Sequence, residues 1–150
     1  MRSLIPPLLV ISLALALGAC GQTQTKPDKL APQDLAETYR LAAAAYEAQD
    51  WAASERHYRD LTRGAPEEVE PWFKLGNVYA RTQRYDLAIA CYREVLVRDS
   101  RDVKAWHNIA VTQLREAGAS FLELEMLTKD DDPLHEKSVR IQRAIDELVN

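Results

Sequence analysis

Apolar and polar positions divide the chain into distinct stretches. Leu4 to Leu17 is almost wholly apolar. Gly21 to Pro32 (GQTQTKPDKLAP) is polar, carries prolines and has no period. Beyond it the apolar pattern repeats every 34 residues: Leu41, Leu75 and Ile109 are so spaced, as are Ala42, Gly76 and Ala110. Trp51 pairs with Tyr85 at the same interval, Ser54 with Ala88, Tyr58 with Tyr92, Leu61 with Val95, and Trp72 with Trp106. A fixed period of this size marks stacked supersecondary units that bury their apolar faces against one another. The units span 35–68, 69–102 and 103–129 within a repeat region of 33–129. The third decays, with Gln113 and Leu122 replacing the tyrosine and the small residue of the second, so its second helix, near Ala119 to Thr128, is expected to shift register or shorten. A last helix is predicted over 133–149, with Asp132 as its cap and Pro133 in its first position. Leu134, Ile141, Ile145 and Leu148 form a stripe suited to covering the open end of the stack.

The apolar start of the chain ends in Leu17-Gly18-Ala19-Cys20, which resembles the lipobox of bacterial lipoproteins. Arg2 supplies the positive start of a secretory signal, and Gly18-Ala19 the small residues before a cleavage site. A transmembrane helix needs roughly 20 apolar residues, and Pro6-Pro7 interrupts this run near its start. The resemblance implies a signal peptide over 1–19, a lipid on Cys20 and a flexible tether over 20–32. Gln22 stands where an aspartate often means inner-membrane retention. By that sorting rule the resemblance implies the outer membrane, periplasmic face.

Charge and chemistry narrow the function. A formal net charge of −4 does not suit wrapping of nucleic acid. Of the two cysteines, lipidation uses Cys20, so Cys91 has no intramolecular disulfide partner. The three histidines are scattered without metal-ligand spacing. Asp130 to Asp132 lacks the alternation, glycine and distal glutamate of a calcium loop and reads as a solvated helix cap. Glu55, His57 and Asp60 share a helix, and no nucleophile on a strained turn accompanies them. Ser54 and Cys91 stand in packing positions, Cys91 as a buried thiol. No glycine-rich phosphate loop is present. The expectation is a non-catalytic protein without a metal or a cofactor other than the lipid.

Trp72-x-x-Leu75-Gly76-x-x-Tyr79, followed by Ala88 and Tyr92, resembles the signature of the tetratricopeptide repeat (TPR). The resemblance implies an all-α solenoid of roughly two and a half to three units, each an A and a B helix, plus the C-terminal capping helix. Gly76 and Ala88 would mark the closest helix crossing, with Tyr85 opening the second helix of its unit. The A helices would line a concave groove presenting Tyr39, Ala43 and Tyr46, then Phe73, Asn77, Ala80 and Arg81, then Lys104, His107, Asn108, Val111 and Arg115. Such a surface suits a peptide segment, with asparagines bonding its backbone and cations meeting acidic groups. Some TPR domains clamp a terminal carboxylate. Asn77 and Asn108 fall at two clamp places, but Phe73 replaces a clamp lysine and a third clamp repeat is missing. In layout the chain resembles lipoproteins of pilus and secretion assembly (pilotin-like). That implies an envelope-assembly adaptor, with a scaffold for cell-wall enzymes or a self-associating structural lipoprotein as alternatives.

Overall fold

The computed structural model describes residues 31–149. The lipobox, Cys20 and nearly all of the tether lie outside the described residues. Six helices follow one another: α1 Pro32–Glu47, α2 Trp51–Gly64, α3 Val69–Arg81, α4 Tyr85–Arg98, α5 Val103–Leu127 and α6 Pro133–Val149. Each packs on its sequence neighbour, so the helices stack in chain order. No strand occurs among the described residues.

The first two units are built alike. Each A helix closes on a glutamine in the left-handed region, Gln49 at φ 56° and Gln83 at φ 58°. That conformation turns the next amide back onto the helix: Asp50 N donates to Ala45 O and Arg84 N to Tyr79 O, both at 2.9 Å. The Asp50 carboxylate then caps α2 by accepting from Ala53 N at 3.0 Å. Asp102 caps α5 in the same way, through Ala105 N at 2.8 Å.

Small residues set the helix crossings. Ala42 is fully buried, and Ser54 Oγ donates across from α2 to Ala42 O. Gly76 lies against the Tyr92 ring, and Ala88 is fully buried in α4. Tyr58, Leu61, Leu75, Val78, Tyr92, Val95 and Ile109 fill the core between these helices. An ion pair ties unit one to unit two. Arg84 Nη2 meets Glu55 Oε2 at 2.5 Å, and Tyr79 OH donates to Glu55 Oε1 at 3.3 Å. The hydrogen bond from Arg84 holds the Glu55 carboxyl below the usual carboxylate range.

Two expectations need correction. The third unit does not fold back near Ala119: α5 runs unbroken from Val103 to Leu127. The places of Gln83, which turns the chain in the left-handed region, and Arg84, which pairs with Glu55, are taken in unit three by Ala117 and Gly118. The flanking LREA and LELEML segments are strong helix formers, whose preference outweighs the roughly 1 kcal/mol cost of one internal glycine. The helix stops only at the polar, proline-bearing Lys129 to Pro133. There Asp132 Oδ1 accepts from Leu134 N at 2.8 Å.

The second correction concerns the α6 stripe. Ile145 is buried, but Leu148 is 70% exposed and Leu134 half exposed. The buried line carries Ser138 instead, whose hydroxyl donates to His135 O at 2.8 Å. With its hydroxyl bonded locally, a small serine can sit in a close contact where leucine would not fit. Gly118 has the matching role on α5, facing Gln142 and Ile145.

Candidate functional site

The inner face of α3 and α5, with the tip of α1 and the turn before α4, lines a half-open cavity of about 420 Å³. Of the residues expected in the groove, Tyr46, Asn77, Ala80, Arg81, Asn108, Val111 and Arg115 line it. The others do not. Tyr39 packs part-buried against the core, its hydroxyl pushed up to about 12 by burial, then by Glu68 and Glu70. Phe73 packs on the far side of Tyr92, ring centroids 5.7 Å apart. Ala43, Lys104 and His107 are exposed away from the cavity.

Hydrogen bonds tie the centre of the cavity wall together. Tyr92 OH donates to Asn77 Oδ1 at 2.9 Å, and Asn108 Nδ2 donates to the same oxygen at 3.1 Å. Three helices, α3, α4 and α5, therefore meet at one amide oxygen. These bonds saturate the acceptor of Asn77 and use one donor of Asn108. They leave the Asn77 amide N–H groups and the Asn108 carbonyl, a donor set beside an acceptor, on the cavity wall. Burial pushes the Tyr92 hydroxyl up to about 12, so it stays a donor through the physiological range.

Charge in the cavity has one sign. Among the described residues, Arg81 and Arg115 are the only ionic ones that line it, and no aspartate or glutamate does. Arg115 Nη2 also donates to Val149 O at 3.2 Å, which steadies the guanidinium at the rim. Tyr46 is held edge-on against Trp51 at 5.4 Å, with Lys74 Nζ 5.4 Å from its ring centroid. The wall also includes Gln83, Tyr85, Tyr92 and Thr112, which sequence reasoning did not place there. The recurrence of Gln49 and Gln83 at the repeat interval was the available signal for the turn.

Elsewhere, Cys91 is buried and its thiol is pushed up to about 12 by burial, then by Glu94, so it is unreactive at neutral pH. His135 Nε2 lies 3.7 Å from Asp130 Oδ1 at the head of α6.

Antiparallel helix pairs stacked in chain order make a repeat solenoid. The tetratricopeptide repeat family model matches residues 39–117, and the chain belongs to that family. Its repeats are protein-interaction modules. Among solved structures the chain is similar to one in the "CopN-Scc3 complex", at 22% identity and a TM-score of 0.51, covering 89% of this chain and 83% of that one. At that identity the likeness shows the fold. No curated protein matches the chain.

Proposed function

We propose that this protein is a lipid-anchored, non-catalytic adaptor that captures an acidic, extended segment of another envelope protein in its inner cavity, in the service of pilus, secretion or export assembly. The observation that carries the reading is the cavity wall: a paired amide donor and acceptor together with two arginines, and no acidic side chain among the described lining residues. A peptide backbone matches the first, and a carboxylate matches the second through charge-assisted bonds. The solved chain it is similar to comes from a complex, which agrees with a binding role.

The test of capture is a charge reversal. Arg81→Glu with Arg115→Glu should weaken retention of the partner in an envelope pulldown by more than about tenfold, as expected for a lost hot spot. Both side chains are exposed, so helical circular dichroism should not change. Arg56→Ala with Arg93→Ala, exposed on the B helices, should bind as the unaltered protein does. Retained binding by the reversed protein would exclude the cavity.

The anchor rests on Leu17 to Cys20. Cys20→Ser should abolish labelled-palmitate incorporation and leave the protein unprocessed or released from membranes, with the helical domain unchanged. A still-acylated variant would exclude the lipobox.

A further inference from the structure

A second surface lies at the end of the stack, apart from the inner cavity. In units one and two, the A helix turns one line of residues to its own B helix. In unit two that line holds Trp72 and Gly76, with Tyr79 beside them reaching back to Glu55 of α2. Gly76 meets the Tyr92 ring, and Arg98 of α4 lies over Trp72 with its guanidinium 5.1 Å from the ring. In unit three the corresponding residues are Trp106, Ala110 and Gln113, and all three are exposed, Trp106 by 57%. The opposite side of α5 is packed normally, with Ala105 and Ile109 in the core.

The exposure follows from the fold-back that unit three lacks. A B helix would have covered this line, but α5 continues straight. The α6 helix does not replace it. Its contacts with α5 run from Thr128 and His135 through Gly118 and Ile145 to Arg115 and Val149. Trp106 lies about two and a half turns further toward the start of α5.

The empty place has a defined chemistry, because the same protein fills it once. In unit two, Trp72 Nε1 donates to Pro66 O at 3.0 Å, and Arg98 Nε donates to the same carbonyl at 2.7 Å. The indole and carbonyl together form a seat for a cation. In unit three Trp106 Nε1 donates to Ser100 O at 3.2 Å, which rebuilds the seat. At the Arg98 interval the chain has Asp132, which lies in the loop before α6. The carboxylates of Asp99 and Asp102 stand in the same turn as Ser100. They bind the Arg101 and Ala105 amides, and Arg101 and Lys104 flank them. An aromatic face beside a backbone carbonyl attracts a cation even where the surrounding formal charges balance.

We propose that the Trp106–Ala110–Gln113 face of α5 docks an amphipathic helix of a partner protein in the place of the missing B helix. The helix carries a small residue against Ala110, an aromatic one turn later and a basic residue over Trp106. Its pattern is that of α4: Ala88, Tyr92, Val95, Arg98.

The chain itself supplies the probe, a labelled synthetic peptide of its residues 84–99 carrying Cys91→Ser. Titrated with the full-length protein in detergent, the peptide should bind saturably by fluorescence anisotropy. Ala110→Arg and Trp106→Ala should each weaken binding by about tenfold or more. Arg98→Ala within the peptide should weaken it about fivefold, the size of a cation–π contact. Both altered positions are exposed, so circular dichroism should not change, and Arg81→Glu with Arg115→Glu should leave peptide binding intact. The proposal is overturned by no binding up to about 1 mM, or by equal binding to the Ala110→Arg protein, which would mean exchange with resident α4. It is also overturned if sedimentation shows a dimer that Trp106→Ala dissociates, since a second copy would then cover the face.

Discussion

Tyr92→Ala should be among the most damaging single truncations in the core, costing about 3–5 kcal/mol. The side chain is only 1% exposed and touches three parts of the fold. Its ring packs on Gly76 and Phe73, and its hydroxyl bonds Asn77, the oxygen that also holds Asn108 of α5. Truncation leaves a void at the crossing of α3 and α4 and takes one of two donors from that oxygen. For a domain of this size the loss corresponds to a melting temperature lower by on the order of 10–20 °C. Tyr92→Phe keeps the ring and loses only the bond, so it should cost about 0.5–1.5 kcal/mol. Thermal unfolding of the three proteins side by side checks both. If the alanine and phenylalanine variants melt together, the hydroxyl rather than the packed ring holds the crossing.

The parts of the fold legible in the sequence are those where local and long-range signals agree. Leu75, Gly76, Ala88 and Tyr92 stand where unit one has Leu41, Ala42, Ser54 and Tyr58, because each pair answers the same steric demand of a helix crossing. Unit three was not legible, because its repeat signal and its local preference disagree. Trp106, Ile109 and Ala110 continue the period, whereas the segment after Gln113 has only Gly118 and Ser120 to favour a turn and many residues that favour helix. The local preference wins, and α5 extends. The stripe on α6 failed for a different reason. Counting apolar residues overlooked Ser138, a small residue whose value lies in close approach.

The cavity was half legible. The family resemblance places Asn77, Arg81, Asn108 and Arg115 on inner faces, and all four line the cavity. It does not say where along α1 the wall begins, which separates Tyr46 at the end of the helix, on the cavity wall, from Tyr39 about two turns earlier. Nor can it show that Phe73 is drawn down onto Tyr92. A substitution at Phe73 or Asn77 therefore disturbs Tyr92 as well as the groove, which makes the two arginines the cleaner probes of binding.

The two internal glycines should respond to alanine with opposite signs. Alanine in place of glycine normally favours a helix by about 1 kcal/mol. At Gly76 an added Cβ would stand 2.6 Å from Tyr92 Cε1 and 2.8 Å from Cδ1. The ring cannot swing aside, because Asn77 holds its hydroxyl and Phe73 its face. Unit one tolerates Ala42 in the same place, so the demand for glycine belongs to the α3–α4 crossing and not to the repeat as such. Gly76→Ala should therefore destabilise by about 1–3 kcal/mol, and Gly76→Leu by at least as much. At Gly118 the Cβ would meet Gln142 Oε1 at 3.1 Å, the end of a flexible side chain whose oxygen makes no hydrogen bond. The amide can rotate away, and the next neighbour, Ile145, stands at an ordinary 3.5 Å. Gly118→Ala should therefore be neutral or stabilise α5 by up to about 1 kcal/mol. Denaturant midpoints measured on both variants decide the matter. A midpoint raised by Gly76→Ala would mean that Tyr92 does not lie against α3, and the repeat frame built on that contact would fall with it.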